Sequence, residues 1–134
     1  WVSWTLQDSL DGAQLRSGET IEEAAKAIAH IKFEARMINC SKPEVISAGM
    51  DDLIALGGPV GAYANGFSEI TPHTHGTSAP DYCARHDLSP ERYADFALAW
   101  VAQGATLIGG CCEVGPAHIR HLHARLTAEG HTVA

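Results

Sequence analysis

Positive charge is scarce in this sequence. Nine Lys and Arg stand against sixteen Asp and Glu, a formal net charge of -7 with the eight His counted neutral. Binding a polyanion needs clustered Lys and Arg, which occur nowhere in the chain, so a nucleic-acid partner is excluded as the main function. Long apolar runs are also missing. No stretch approaches the roughly 18 residues of a membrane span, and no membrane partner is expected. The start lacks the basic region and apolar run of a secretory signal. Cysteine is sparse too, at four residues, Cys40, Cys83, Cys111 and Cys112. Adjacent Cys111 and Cys112 cannot bond each other without a strained ring, so a disulfide framework is disfavoured. Reduced thiols or metal ligands in the cytoplasm are the expectation. What is present is 46% hydrophobic and 19% charged residues over 134 positions, the balance of one globular domain with a core.

Punctuation along the chain divides it into strand-helix units. Trp1 to Leu6 reads as a strand with no start signal before it, as though entered partway through a fold. Ser3 and Thr5 alternate there with Val2, Trp4 and Leu6, so the small polar pair should face the side away from the helices. Thr20 and Glu23 form a capping box, and Ile21, Ala24, Ile28 and Ile31 recur at helical spacing, predicting a helix over about 21–34. Met37 to Cys40 is a second strand, running into Ser41-Lys42-Pro43-Glu44 and a helix with Ile46, Met50, Leu53 and Ile54 on its buried side. Gly57-Gly58 stops it. A third strand spans about 59–65 and brings Asn65 to its carboxyl end.

Residues 66–89 have no apolar period, and a connection of that length suits a lid over a site. Ser89-Pro90 opens a helix with Tyr93, Phe96, Ala97, Trp100 and Val101 on one face and Gly104 at its end. Ala105 to Ile108 is the fourth strand. After Gly109-Gly110-Cys111-Cys112 the last helix opens near Pro116, with Ile119, Leu122 and Leu126 as its apolar face, and stops at Gly130. Four units average about 33 residues each, the size of parallel strands joined by right-handed crossovers. A closed (β/α)₈ barrel takes roughly 250 residues, so the chain is expected to supply the last four units, a carboxyl-terminal half. A four-stranded doubly wound sheet is the runner-up. Half a barrel has unpaired edges, so self-association or pairing with the missing amino-terminal half is expected.

Cys40 follows the second strand, and Cys111 and Cys112 follow the fourth. The carboxyl ends of parallel strands gather at one mouth, which would bring three thiols together. Neighbouring side chains of a strand point to opposite faces, so Cys111 and Cys112 share an ion only where the backbone has turned, and Gly109 and Gly110 permit the turn. Zinc accepts thiolates at tetrahedral geometry, and three protein ligands leave the fourth position for substrate. A thiol entering that position would be held deprotonated yet nucleophilic, which is chemistry for alkylating sulfur.

These segments resemble the homocysteine S-methyltransferase family. The resemblance rests on Ile38-Asn39-Cys40-Ser41, on Gly109-Gly110-Cys111-Cys112 with Gly115-Pro116 and His118-Ile119, and on Leu15-Arg16-Ser17-Gly18-Glu19. It covers nearly the whole chain as the last four units of a zinc (β/α)₈ barrel, a TIM barrel. It implies Cys40, Cys111 and Cys112 as zinc ligands. Asn65, in a Tyr-x-Asn segment, is implied as a fourth ligand when substrate is absent, or as a substrate-site residue. The implied activity is methyl transfer to homocysteine to give methionine, from a small donor such as S-methylmethionine, betaine, S-adenosylmethionine or a cofactor-bound methyl. Glu113-Val114 stands where many members carry a small residue and then Thr. The family's amino-terminal half has no counterpart within these residues, so they are expected not to turn over alone.

The competing reading is a non-catalytic half-barrel with structural zinc or redox-active thiols. Cys83 follows no strand and reads as an incidental thiol. His73 and His75 read as part of a solvated loop, and His118, His121 and His123 as a solvated helix face with Arg120 and Arg125. Trp4, Phe96 and Trp100 read as core.

Overall fold

A computed structural model describes residues 1–68 and 83–134. Its elements are β1 (Val2–Trp4), α1 (Ile21–Ala27), β2 (Arg36–Asn39), α2 (Pro43–Ala55), β3 (Val60–Tyr63), α3 (Pro90–Gln103), β4 (Leu107–Ile108) and α4 (Pro116–Ala128). The strands form one parallel sheet in the order β1-β2-β3-β4. Each helix packs on the next, α1 on α2, α2 on α3 and α3 on α4. Successive right-handed crossovers in one direction lay their helices on one face of a sheet. The doubly wound runner-up is therefore corrected: its strand order must reverse at a switch point, and the order among the described residues does not.

Register separates the faces of the sheet. Trp4, Ile38, Ala62 and Ile108 form one row, and all four belong to or pack on the core beneath the helices. Ser3, Met37, Gly61 and Leu107 form the next row, on the opposite face. The expected placement of the polar pair holds. Tyr63 Oη donates to Ser3 Oγ at 2.7 Å, and Thr5 Oγ1 donates to Asn39 Oδ1 at 3.0 Å, both on the side away from the helices. An open cavity of about 290 Å³ lies there, with Met37, Tyr63, Leu107 and Gly109 in its wall.

The core is continuous under the helices. Ile46, Met50 and Leu53 of α2 are fully buried as expected, and Tyr93, Ala97 and Trp100 supply the inner face of α3. Trp100 stacks on Phe96 and donates its indole N–H to Ser47 Oγ at 2.8 Å, which ties α3 to α2.

Three expectations are revised. The first helix carries its capping box but ends at Ala27, well before residue 34. Beyond it the chain makes three-residue turns, Ala29 N–H to Lys26 O and Ile31 N–H to Ile28 O. A short helix owes its stability to the face it buries, and with β1 only three residues long Ile31 has nothing to cover; it is 52% exposed. Strand lengths are shorter than the apolar runs, β1 stopping at Trp4 and β4 holding only Leu107 and Ile108. On α4 the inward stripe is His118, Leu122 and Leu126, at a spacing of four, which turns Ile119 outward to 42% exposure.

Close approach explains one glycine. A Cβ on Gly61 would lie 2.3 Å from the Leu107 carbonyl oxygen and 2.5 Å from Leu107 Cβ, so β3 and β4 can meet only without it. Gly61→Ala is expected to destabilise the fold by about 1–3 kcal/mol, the range for an overpacked interior site, as measured by the midpoint and slope of denaturant unfolding.

Candidate metal centre

The three thiols singled out by sequence do converge. Sγ of Cys40, Cys111 and Cys112 all lie within 4.8 Å of one another, with Cys111 and Cys112 at 3.9 Å and unbridged. Four sulfurs at zinc bond length around a tetrahedral ion would sit about 3.8 Å apart. The donor set therefore fits zinc in number, type and spacing. No other cluster of three or more such donors occurs among the described residues.

Each thiol reaches this place by a backbone departure at a strand end. Asn39 belongs to the face away from the helices, so an extended Cys40 would point back toward them. Cys40 instead adopts φ 46°, a left-handed conformation that breaks the alternation. The second departure follows Cys111, where the chain turns through Cys112 and Glu113, the latter at φ 63°. Each of these non-glycine residues carries about 1–2 kcal/mol of backbone strain, and such strain persists only where surrounding structure imposes it. Gly109 and Gly110 are not among the residues with positive φ. Gly110 supplies space: a Cβ there would lie 2.4 Å from Val114 Cγ1, whereas one on Gly109 would make only ordinary contact with Tyr63 Cβ at 3.5 Å.

The imposing structure is a set of main-chain bonds between successive strand ends. Cys40 N–H donates to Tyr63 O at 3.0 Å, Cys111 N–H to Ala64 O at 2.9 Å, and Gly66 N–H to Cys112 O at 2.8 Å. Buried Ser41 Oγ accepts from Leu6 N–H and donates to Asn39 O, both at 2.9 Å. Arg16 donates from Nε to Leu6 O and from Nη2 to Cys40 O, at 3.2 and 3.1 Å. Helices α2 and α4 both begin within four residues of a thiol, so two helix amino termini start at the same end of the sheet, the polarity that favours anions.

Asn65 is fully buried at this end of β3. Its Oδ1 accepts from Phe67 N–H at 3.0 Å, while Nδ2 has no protein partner among the described residues. Cys83 is exposed and outside the trio. His73 and His75 fall outside the described residues, as does most of the long connection read as a lid. The ends of that connection pair as an antiparallel bridge, Phe67 with Ala84. Arg85 fixes the returning end. It makes a bidentate pair with Glu44 at 2.7 and 2.8 Å and a second with Asp87 at 3.1 and 2.8 Å, and the Arg85 hydrogen bond holds the Glu44 carboxyl below its ordinary range.

Sequence reasoning passed over several positioning groups. Tyr93, read as apolar core, donates its hydroxyl to the Gly109 carbonyl. His118, read as solvated, is corrected: it is half-buried, its Nδ1 accepts from Gly115 N–H at 3.2 Å, and its Nε2 bonds Leu88 O at 3.0 Å. With Nδ1 accepting, Nε2 carries the proton. Its match to the His118-Ile119 segment was the available signal. For Arg85 there was none.

The chain is a parallel α/β unit with three cysteine thiols gathered at the strand carboxyl ends, a donor set that could hold a metal ion. The homocysteine S-methyltransferase family model matches residues 1–126, and the chain belongs to that family. It is 33% identical over 132 residues to a homocysteine S-methyltransferase of Escherichia coli, covering 93% of this chain and 38% of that protein. It is 28% identical over 127 residues to a selenocysteine Se-methyltransferase of Brassica oleracea, covering 93% of this chain and 35% of the relative. A Bacillus subtilis homocysteine S-methyltransferase is 29% identical over 126 residues, 92% of this chain and 37% of its own length. The chain thus spans little more than a third of the length of these relatives. No solved structure matches it significantly. No helix among the described residues is long and apolar enough to cross a membrane.

Cys40 and Cys112 resist ionisation without a cation. Burial first, then the hydrogen bond and charge of Cys111 and those of Cys112, push Cys40 from the usual 9.0 up to about 12, and burial followed by Cys111 raises Cys112. Above pH 9 an unfolded Cys40 releases its proton while the folded one keeps it, so the metal-free fold should lose stability as pH rises from about 9 toward 12. Denaturant midpoints of metal-free, reduced protein measured across that window should fall, and Cys40→Ser should flatten the dependence.

Proposed function

We propose that the chain is the zinc-holding carboxyl-terminal half of a (β/α)₈ barrel that transfers a methyl group to the thiol of homocysteine, giving methionine. The observation that carries this reading is the gathering of Cys40, Cys111 and Cys112 within 4.8 Å at the strand ends. Family membership supports it. The barrel is supported by the unreversed strand order and, among the described residues, by helices that pack on one face, with a cavity on the other. Coverage of 35–38% of the relatives leaves room for the remaining strands.

Zinc, when bound by the three thiolates, supplies a centre that keeps an incoming thiol deprotonated at neutral pH with its sulfur still nucleophilic. The chain's own part is to hold the three sulfurs at one mouth and to leave one corner for the substrate. Asn65 is assigned to that corner before substrate enters, or to the substrate itself. The substrate sulfur then forms its bond to the methyl carbon as the bond from that carbon to a sulfonium, ammonium or cofactor donor breaks, the electron pair leaving with the donor. Holding donor and acceptor in line supplies much of the rate. The partners are homocysteine and a small methyl donor, with no nucleic acid or membrane, and a cytoplasmic setting keeps the thiols reduced. The relative named a selenocysteine Se-methyltransferase makes a selenol a second acceptor worth assaying.

Metal analysis of the purified protein should find one zinc per chain, and Cys40→Ser or Cys111→Ser should cost more affinity than the roughly 10- to 100-fold typical of outer-shell partners. Added homocysteine should raise the sulfurs around zinc from three to four by X-ray absorption. Four protein ligands undisturbed by homocysteine would make the zinc structural. Absence of metal, with Cys111 or Cys112 cycling under oxidant, would establish a redox switch instead. Residues 1–134 alone should show no turnover.

A further inference from the structure

The hydroxyl of Tyr93 lies under the cysteine turn in a place where a plain phenyl ring would satisfy the core. Tyr93 is wholly buried, and its ring packs edge-on against Trp100, with centroids 6.3 Å apart, and against His118 at 5.9 Å. A buried hydroxyl is costly unless bonded, and this one is bonded to a strand end rather than to another core side chain. It donates to the Gly109 carbonyl, two residues before Cys111. Cys111 itself is held from the neighbouring strand end, its N–H donating to the Ala64 carbonyl at 2.9 Å. One oxygen on α3 is thus joined to the carboxyl end of β4, two residues from a thiol whose own amide is bonded to the end of β3.

His118 extends the same support. Its ring meets Tyr93, its Nδ1 takes the Gly115 N–H beyond the turn, and its other nitrogen bonds Leu88 O just before α3. The stretch from Gly109 to Gly115 is therefore held at one end by Tyr93 of α3 and at the other by His118 of α4, whose second nitrogen reaches Leu88. Between the grips lie Cys111, Cys112 and Glu113, with left-handed backbone at Glu113.

We propose that Tyr93 is a positioning residue for the metal centre, its hydroxyl setting where the Gly109-Gly110-Cys111-Cys112 segment presents its two sulfurs. The inference rests on the zinc reading and assigns a residue outside the ligand set. Tyr93→Phe removes one oxygen and leaves the ring packing, so the protein should fold while its two sulfurs lose their fixed aim.

The test uses the intact protein loaded with cobalt(II) in place of zinc, since thiolate-to-cobalt charge-transfer and ligand-field bands report sulfur number and geometry directly. Wild type should show a three-thiolate tetrahedral spectrum. Tyr93→Phe should shift those bands and weaken zinc in chelator competition by about 10- to 100-fold, the usual effect of an outer-shell partner. Ser47→Ala removes the hydrogen bond between α3 and α2 without touching the turn, and it should leave spectrum and affinity unchanged at whatever stability it costs. If Tyr93→Phe does not fold, 3-fluorotyrosine placed at residue 93 keeps the hydroxyl, alters its donor strength and should shift the same bands. A Tyr93→Phe or fluorotyrosine protein with wild-type spectrum and affinity overturns the role of Tyr93 and leaves the zinc reading standing. A wild type that binds neither cobalt nor zinc overturns both.

Discussion

The candidate site depends on main-chain hydrogen bonds that continue past the sheet. Regular pairing ends at Asn39, Tyr63 and Ile108, but Cys40 N–H still reaches Tyr63 O, Cys111 N–H reaches Ala64 O, and Gly66 N–H reaches Cys112 O. These bonds lock successive strand ends together after the backbone has stopped alternating. Without them the left-handed Cys40 and Glu113 would relax toward extended conformations, and the thiols would return to opposite faces of the strands. The strain and the convergence are thus one feature: the backbone is held in sparsely populated conformations so that side chains from distant segments share a point.

The electrostatics of that point follow from its construction. Burial first, and then the neighbouring thiols, hold Cys40 and Cys112 in the protonated form. A divalent cation reverses the balance by favouring deprotonated sulfur. Three thiolates on such an ion leave a charge of -1, and two helix amino termini at the same end oppose part of it. A neutral thioether formed there would bind more weakly than the thiolate it came from, so release of product is built into the charge of the proposed site.

Sequence made the larger plan readable through its punctuation. The Thr20 and Glu23 capping box starts α1 at Ile21, Pro43, Pro90 and Pro116 open the other helices, and the four strands follow at the expected places. The thiols were readable because a residue just past a parallel strand has few places to go. What escaped notice depended on tertiary partners. The end of α1 was set by how little β1 gives it to cover, and α4 turned His118 inward instead of Ile119 because the Gly115 amide and Leu88 carbonyl offered that ring two bonds. Neither competition has a local signature. Glycine was read for flexibility at Gly109 and Gly110, yet the positive φ values fell on Cys40 and Glu113, and Gly110 serves the close approach of Val114. Tyr93 illustrates the same gap: an aromatic at helical spacing reports burial, not what its hydroxyl will meet.

The opposite face of the sheet gives the arrangement its direction. Ser3, Thr5 and Asn39 place small polar groups there, Gly61 permits β4 to press against β3, and Met37 and Tyr63 border the cavity. The helix face, by contrast, carries Trp4, Ile38 and Ala62 in a packed apolar layer. A sheet with helices on both sides would need apolar residues in both rows. The second row instead mixes Ser3 and Gly61 with Met37 and Leu107, and an open cavity lies against it. The thiols meet at the strand ends because Cys40 abandons the helix-facing phase of its strand. A single left-handed residue therefore moves a sulfur from the side of the sheet that only packs to the end of the sheet that can do chemistry.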